Sequence, residues 1–477
     1  MRKQVTTVLA WIWWSCASAG NPGGGPDAFP GLLEADRISI RAGRQDVVGV
    51  WRSRGYGWVL EISGTGQRQY EIGDFGCYPR PASVEGATPM LSVRFSDYRL
   101  SQDGRMAMFI YGPDNVGPVF DRLDALPAAC ESPPGPDMED TLEVFLSIMT
   151  EHYAHFERRG VDWGALSAET RRIFYQDRTA DGLVAAFRHT IDALQDSHTR
   201  VIALSDEGPQ RIASGLGPTL TRIRQADGET RWLVGIVEQL TGDILDPGAR
   251  HVGRDRILWG TIGTDIGYLQ IFQMGGFTEL DISDPDWAKA ELETMDRLLD
   301  EAFSHFSGIG VRAVILDLSN NRGGYDEIAR RLAARFAAEP FHAYSVSARG
   351  SGLPPLPKLI EPAPDNRFRG PTYVLTSDVT VSGGEIATLA LKQLPNVVQA
   401  GTATRGAFST PLAKALPNGW IVELANEEFS APDGEVYTGR GLPPDWQLPV
   451  FEAGDPVASH GGAVRTVAAR AGLAGDE

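Results

Sequence analysis

Three short stretches of the sequence combine residue types that suit chemistry at a carbonyl group. Ser382 stands in TVSGGE, His198 stands in QDSHT, and residues 317–324 read DLSNNRGG. A serine hydroxyl beside an imidazole base can attack a carbonyl carbon. Backbone N–H groups at a glycine turn can hold the oxygen that becomes negative. Together the three stretches indicate nucleophilic catalysis of acyl transfer.

Each stretch is also typical of ordinary structure when it is taken alone. Ser382 with Glu385 three residues later is a capping-box pattern at a helix start, although a helix N-terminus also favours negative charge. Two glycines after a buried strand are typical of a tight turn into a helix. A single histidine between polar residues is more often a surface residue or a cap. The hypothesis of catalysis therefore depends on the three stretches occurring together.

The three stretches resemble, in order and spacing, the signature of the tail-specific (carboxy-terminal processing) protease family. That family has an Asp-x-His-Thr region, a glycine turn Asp-x-Arg-x-Asn-x-Gly-Gly and a nucleophile region Ser-x-x-Glu. Two later family motifs, Gly-x-x-Thr-x-Gly and Gly-x-Pro-Pro-Asp, match residues 401–406 and 441–445. The resemblance covers about residues 138 to 460 and implies a serine-type endopeptidase that acts on peptides or unfolded protein.

The resemblance further implies the tricorn-core-like branch, which uses a Ser–His pair in place of a Ser–Lys dyad. Ala407 stands where the other branch has its lysine, and neither Lys392 nor Lys414 matches that pattern. In this branch Ser382 is the nucleophile and His198 is the general base.

The remaining members of the implied site are less completely matched. Ser197 would orient the imidazole, and backbone N–H groups of Gly383 and of Gly323 or Gly324 would form the oxyanion hole. The family's supporting glutamate lies in Glu-Gly-x-Gly-x-x-Pro-Asp. Thr438 occupies that position here, so Glu435, three residues earlier, is the candidate replacement.

The spacing of apolar residues predicts the elements that must position these groups. Alternation over short runs predicts a small antiparallel β domain, and helical spacing follows it. From about residue 258 strands and helices alternate as in βαβ units. The expected fold is an α/β catalytic domain, preceded by a helical segment and the N-terminal β domain, and the resemblance implies that its βαβ core is ClpP/crotonase-like. The strands are expected at 266–272, 312–318, 372–376 and 397–400, and the helices at 286–306, 328–336 and 385–394.

These patterns divide the chain into six parts. They are a signal peptide (1–19), a flexible leader (20–30), the N-terminal β domain (31–132), a helical segment that ends in the His motif (133–205), the α/β serine protease core (206–460) and a C-terminal tail (461–477). Only about sixty residues, from Ile202 to Ile262, separate the His motif from the core. They lack the strand pattern of a PDZ domain, so none is expected.

The first nineteen residues have the form of a secretory signal peptide. Arg2 and Lys3 precede an apolar run, and Ala17-Ser-Ala19 is a small-residue cleavage site. Trp13 and Trp14 disfavour a lipoprotein anchor at Cys16. The mature protein is therefore expected in the periplasm or the medium, with no stable membrane span.

Two cysteines remain after the signal peptide. Cys77 and Cys130 both lie in Pro-flanked segments, and an oxidising compartment favours a disulfide between them. Two unrelated buried thiols are the alternative.

The chain has 44 basic and 62 acidic residues among 477, a net charge of −18, which disfavours nucleic-acid binding. His152 and His155 lack the partners of a metal site and are interpreted as ordinary helix residues. Neither metal nor cofactor is expected, and the sequence does not fix the oligomeric state.

Two other functions stay open on the sequence alone. One is a non-catalytic binder of a small lipid or retinoid-like ligand, because retinoid-binding proteins of the eye share the fold implied by the resemblance. The other is an acyl-ester hydrolase that uses the same Ser–His pair.

Overall fold

The computed structural model of the chain describes residues 31–474 apart from 34, 37, 41–44, 81–94, 111–116, 206–207, 227 and 280–283. The expected signal peptide, its Cys16 and the expected leader lie outside the described residues. Within that part of the chain, no helix combines the length and apolar character needed to cross a bilayer.

An antiparallel sheet with the strand order β1-β6-β7-β8-β2-β3-β4-β5 forms the N-terminal part, and the prediction of an N-terminal antiparallel sheet is confirmed. Its strands are β1 (Ile38–Ser39), β2 (Gly49–Ser53), β3 (Trp58–Ser63), β4 (Gly66–Gly73), β5 (Gly76–Pro79), β6 (Asp97–Leu100), β7 (Met106–Ile110) and β8 (Val119–Leu123). Trp51, Phe109 and Phe120 fill its buried face. A disulfide joins Cys77 in β5 to Cys130.

The helices begin where apolar residues take up helical spacing. They are α1 (Met138–His152), α2 (Trp163–Gln176), α3 (Ala180–Leu194), α4 (Pro218–Gln225), α5 (Glu229–Gln239), α6 (Asp284–Ile309), α7 (Asp326–Ala334), α8 (Gly383–Leu391) and α9 (Pro456–Ala474). Asp137, Asp162 and Thr179 accept hydrogen bonds from the first N–H groups of α1, α2 and α3. One π-helical turn, Leu240–Ile244, follows α5.

Three further sheets lie in the rest of the described chain. Their strands are β9 (Arg200–Ser205), β10 (Gly208–Ala213), β11 (Arg250–Val252), β12 (Ile257–Ile262), β13 (Ile266–Ile271), β14 (Ala313–Asp317), β15 (Phe341–Ala348), β16 (Leu356–Ile360), β17 (Thr372–Thr376), β18 (Val397–Gly401), β19 (Pro411–Ala415), β20 (Ile421–Ala425), β21 (Glu427–Ser430) and β22 (Trp446–Gln447). Their orders are β11-β12-β13-β14-β17-β18-β22, β10-β9-β20-β19 and β16-β15-β21.

The glycine turn and the loop that contains Ser382 both follow strands of the seven-stranded sheet. Its strands β13, β14, β17, β18 and β22 are parallel, with α6, α7 and α8 between successive long strands. The strands and helices predicted here from apolar runs are confirmed to within three residues. Because parallel strands end at one edge, the loops after β14, β17 and β18 meet there, where open α/β sheets bind ligands.

Two of the expected boundaries fall inside packed structure. Strands β9 and β10 lie on either side of residue 206, yet both belong to one antiparallel sheet with β19 and β20. Residue 460 lies within α9, and the imidazole of His460 donates to the Asp317 carboxylate over 2.7 Å. The hydroxyl of Tyr268 donates to the same carboxylate, also over 2.7 Å. The C-terminal helix is thus tied to the end of β14.

A buried ion pair joins the N-terminal sheet to the rest of the molecule. The ammonium of Lys414 in β19 lies 2.8 Å from a carboxylate oxygen of Glu71 in β4, and both side chains are fully buried. The guanidinium of Arg80 lies 2.9 Å from the other oxygen of Glu71. Lys414 also donates to the Gly57 carbonyl over 2.6 Å. Lys414 therefore has a structural role at this interface.

Lys414→Met is expected to lower the free energy of unfolding by about 3–5 kcal/mol, because it leaves buried Glu71 with one cation in place of two. Urea denaturation measures the change. Lys289→Met is the matched control: this α6 side chain is 78% exposed, and its replacement is expected to change stability by less than about 0.5 kcal/mol. Equal stability of the two variants would contradict the structural role of Lys414.

Candidate active site

Ser382 lies at the start of α8, in a backbone conformation that side-chain-bearing residues rarely adopt. Its φ is 57° and its ψ is −122°. Such a conformation costs about 1–3 kcal/mol and clusters at functional sites. The Ser382 N–H donates to the Ala407 carbonyl over 3.1 Å and to Glu385 Oε2 over 3.2 Å. These two bonds hold the serine in its strained position.

The glycine turn packs directly against this serine. A Cβ at Gly323 would lie 2.6 Å from the Cβ of Ser382, and a Cβ at Gly324 would lie 2.1 Å from the Met274 carbonyl oxygen. Both glycines have positive φ, 80° and 133°. A side chain at Gly323 would therefore push the turn away from the serine, and one at Gly324 would push it away from the Met274 backbone.

The structure distinguishes between the three glycines expected to stabilise an oxyanion. The Gly323 N–H already donates to Asn321 Oδ1 over 2.9 Å. Gly383 packs closely against Gly324, since a Cβ at Gly383 would lie 2.8 Å from the Gly324 carbonyl oxygen and 3.1 Å from its nitrogen. Gly383 is also the first residue of α8, where N–H groups lack an intrahelical acceptor. Gly324 and Gly383 are therefore the better-placed donors.

Asp196 organises the turn that carries His198. Its carboxylate accepts hydrogen bonds from the His198 N–H (3.1 Å), the Thr199 hydroxyl (3.1 Å) and the Tyr153 hydroxyl (3.0 Å). The Arg159 guanidinium lies 3.2 Å from the same carboxylate. Burial opposes ionisation, but Arg159 lowers the pKa of Asp196 below its usual range. The Asp-x-His-Thr pattern is thus a carboxylate that fixes the backbone of its own histidine.

Ser382, His198, Ser197 and Gly324 all line one cavity of about 350 Å³. The structure therefore brings together residues from the His motif, the glycine turn and the nucleophile region. Among the described lining residues there is no lysine. Lys392 lies instead 2.7 Å from Asp445 Oδ1.

The imidazole of His198 is buried in positive surroundings. Burial lowers its pKa to about 4, Asp196 opposes that shift, and Arg200, Arg159 and Arg405 add to it. The ring is therefore neutral at pH 7, as a general base requires. Neither its Nδ1 nor the Ser197 hydroxyl has a hydrogen-bond partner among the described residues. The expected orienting bond from Ser197 is not formed in this structure.

Glu435 lies apart from these groups. Its carboxylate pairs with Arg440 at the surface, and its side chain is 51% exposed. It is not among the residues that line the cavity. Thr438, at the position of the family's glutamate, is buried, and its hydroxyl has no hydrogen-bond partner among the described residues.

His152 and His155 lie outside the site. His152 ends α1 and His155 follows it, so the two do not share a helix as the sequence suggested. The His155 ring bonds the Glu427 carbonyl over 3.0 Å. Within the described residues, no cluster of three or more potential metal ligands is found.

Glu385 has a positioning role at the site that could not be predicted from the sequence. Its buried carboxylate accepts from the Thr404 hydroxyl (2.6 Å), the Gly406 N–H (2.6 Å) and the Ala407 N–H (2.8 Å), besides Ser382. Burial raises its pKa and these bonds oppose the rise. The capping-box pattern correctly placed its bond to Ser382 but gave no sign of the contacts to residues 404–407. Glu385 thus clamps the turn after β18 onto Ser382.

Residues 265–448 match the family model of peptidase family S41. This segment is a domain of that family, and the resemblance to tail-specific proteases is confirmed. It contains Ser382 and the glycine turn. His198 precedes it, so the position of His198 in the site rests on the structure.

Similar proteins support the same family. A 152-residue segment is 28% identical to the carboxy-terminal processing protease CtpA of Bacillus subtilis (strain 168) and makes up 32% of each chain. The match therefore spans about a third of that relative's length.

Solved structures share the fold. A putative peptidase from Parabacteroides merdae is 20% identical with a TM-score of 0.55, covering 70% of this chain and 96% of its own. Mature CPAF in complex with lactacystin is 13% identical with a TM-score of 0.51, covering 71% and 97%.

Glu385→Gln is expected to lower the free energy of unfolding by about 3 kcal/mol, because its amide group would face N–H donors that now have an acceptor. Chemical denaturation measures the loss. Glu293→Gln, at an α6 side chain that is 65% exposed, is the control and should unfold like the wild type. A Glu385→Gln protein as stable as this control would show that the clamp is not a structural constraint.

Proposed function

We propose that the chain is a serine peptidase in which Ser382 is the nucleophile and His198 is the general base. The observation that carries the proposal is that one cavity is lined by a strained serine, a neutral buried imidazole and Gly324 of the glycine turn. The peptidase family S41 domain supports the assignment, and the Bacillus relative is a carboxy-terminal processing protease by name.

The groups at the site suit the two halves of peptide hydrolysis. Ser382 Oγ attacks the scissile carbonyl carbon while His198 takes its proton. The N–H groups of Gly324 and Gly383 receive the oxygen that becomes negative. When the C–N bond breaks, His198 gives the proton to the departing amine. A water molecule then attacks the acyl-enzyme with His198 again as base, and Ser382 is restored.

Positioning in this proposal comes mainly from two buried carboxylates. Asp196 fixes the backbone of His198, and Glu385 fixes that of Ser382. Ser197 remains the proposed neighbour that orients the imidazole once substrate is bound, because apo contacts at catalytic sites are often loose. Glu435 is the sequence-based candidate for the supporting glutamate of the site. Its pairing with Arg440 at the surface gives that role no support.

We propose further that the chain has a ClpP/crotonase-like core and the six-part division given above, and that it is secreted through its signal peptide. The disulfide between Cys77 and Cys130 supports an oxidising compartment. Helices α4 and α5 occupy the segment in which many tail-specific proteases carry a PDZ domain. The proposed substrates are peptides or flexible protein segments.

The two alternative functions have less support. A ligand binder has no need of a strained serine and an imidazole in one cavity. An ester hydrolase would use the same groups, so the choice between ester and peptide rests on the family of the domain.

Ser382→Ala and His198→Ala are each expected to reduce cleavage of casein or a peptide pool by about 10³-fold or more, because nucleophile and base act as a unit. The mature chain from Gly20 is the reference. Ser307→Ala and His189→Ala, at exposed positions, are matched controls expected to keep full activity. Cleavage that survives in Ser382→Ala would overturn the proposed nucleophile.

The pH profile tests the base. His198 must be neutral to accept a proton, and its pKa is lowered to about 4. The acidic limb of kcat/KM, which reports the free enzyme, is therefore expected near pH 4 and not near the ordinary histidine value of about 6.5. Initial rates in a constant-ionic-strength buffer series measure it. A limb at pH 6.5 would contradict the buried, positively surrounded imidazole.

A further inference from the structure

The cavity that holds Ser382 and His198 is lined by five arginines and by no acidic residue among those described. The arginines are Arg200, Arg211, Arg224, Arg322 and Arg405. This is unexpected in a chain with a net charge of −18. A patch of one sign in a protein of the opposite sign attracts ligands of complementary charge.

The five arginines come from five separate parts of the fold. Arg200 and Arg211 belong to β9 and β10, and Arg224 belongs to α4. Arg322 precedes the glycine turn, and Arg405 lies in the turn clamped by Glu385. Five separate parts of the fold thus each place an arginine side chain at the same cavity.

The carboxylates near the arginines satisfy only part of the cluster. Arg224 and Arg322 share the single carboxylate of Glu229 at 2.7 and 2.9 Å, and Arg200 pairs with Glu423. In the part of the chain that the structure describes, neither Arg211 nor Arg405 forms an ion pair.

Arg405 uses only part of its guanidinium inside the protein. Its Nε donates to the backbone carbonyl of Asp378 over 2.7 Å. The carboxylate of Asp378 itself accepts from the Thr219 N–H over 2.8 Å. Burial lowers the pKa of Arg405 to about 10, although Glu385 and Asp378 oppose that shift. The group therefore stays charged at pH 7.

Three guanidinium nitrogens of the cluster are buried donors without an acceptor among the described residues. They are Arg200 Nε, Arg322 Nη2 and Arg405 Nη2. A buried donor left unpaired costs about 1–3 kcal/mol, and more when it is charged. Carboxylate oxygens are the acceptors that the planar guanidinium fork matches best.

We propose that this cavity selects peptide substrates with acidic side chains close to the scissile bond, each carboxylate received by the arginine cluster. The inference rests on the proposed function, because it places these side chains beside the bond that Ser382 attacks. A single C-terminal carboxylate would engage one or two of five arginines on five elements. Side chains of Asp or Glu on both sides of the bond can engage more of them.

The cluster also acts on the catalytic base. Asp196 raises the pKa of His198, whereas Arg159, Arg200 and Arg405 lower it. A substrate carboxylate on Arg200 or Arg405 offsets part of that positive field. Bound acidic substrate therefore strengthens the base at the moment at which it is needed.

The test begins with a proteome-derived peptide pool and mass-spectrometric mapping of the cleaved bonds. Asp and Glu are expected to be enriched within three residues of those bonds. A cleaved peptide is then resynthesised with Glu→Gln at the enriched position and, separately, with its C-terminal acid as an amide. For the wild type, kcat/KM is expected to fall about tenfold with Gln, which corresponds to 1.4 kcal/mol, and to change little with the amide.

The Glu-to-Gln ratio is then measured in three variants. Arg211→Gln alters an exposed residue of the edge strand β10, and Arg224→Gln alters an exposed residue of α4. In each the ratio is expected to fall to about threefold or less. Arg188→Gln, at an exposed position of α3 outside the cavity, is the matched control and should keep the tenfold ratio. Raised salt should weaken the preference in wild type.

The outcomes separate this inference from the proposed function. Equal cleavage of Glu and Gln peptides, an unchanged ratio in both arginine variants, or dependence on the terminal carboxylate alone would overturn the inference while leaving the peptidase intact. If nothing is cleaved, fluorescence anisotropy on Ser382→Ala decides it, with a labelled peptide that contains several Glu residues and its counterpart with Gln at those positions. Tighter binding of the Glu peptide would support the cluster's role although the peptidase had failed, and equal binding would overturn both.

Discussion

The backbone of Ser382 is held in a left-handed conformation, and much of the surrounding structure serves to keep it there. A residue with a Cβ resists this conformation, so the neighbouring elements must supply the restraint. Gly323 lies so close that a Cβ added at its position would clash with the Cβ of Ser382. From the other side Ala407 and Glu385 accept the serine N–H. The loops after three parallel strands are thereby locked together, and the serine hydroxyl is presented at the N-terminus of α8.

The same convergence of loops sets the electrostatics of the cavity. The turn that Glu385 clamps also delivers Arg405, and the glycine turn delivers Arg322 beside Gly324. Burial, together with the positive charge next to His198, lowers the pKa of its imidazole, which keeps the ring neutral but makes it a weak base. An anionic substrate relieves that conflict, because it brings the missing acceptors to the arginines. The proposed chemistry and the proposed specificity thus share one arrangement of side chains.

The strands and motifs of this site could be predicted from the sequence, but most of the side-chain contacts that position its residues could not. Apolar runs at 312–318 and 372–376 identified buried parallel strands, and motif order identified Ser382 and the glycine turn. The role of Asp196 needed Tyr153 and Arg159, which lie about forty residues earlier and meet it only in the folded chain. The arginine cluster was invisible for the same reason, because its members are spread over some two hundred residues and obey no local pattern. The boundary expected at residue 206 divides the β9–β10 hairpin, and β9 also pairs with β20, about two hundred residues later, a contact that no local pattern encodes.

The central claim is that Ser382 is an activated nucleophile, and covalent labelling tests it most directly. The mature chain is treated with a fluorophosphonate, digested and mapped by mass spectrometry, beside His198→Ala and a denatured sample. The account predicts one adduct on the peptide that contains Ser382, formed at least about a hundredfold more slowly without His198 and absent after denaturation. Folded protein that stays unlabelled at Ser382, or that is labelled equally fast without His198, would contradict it.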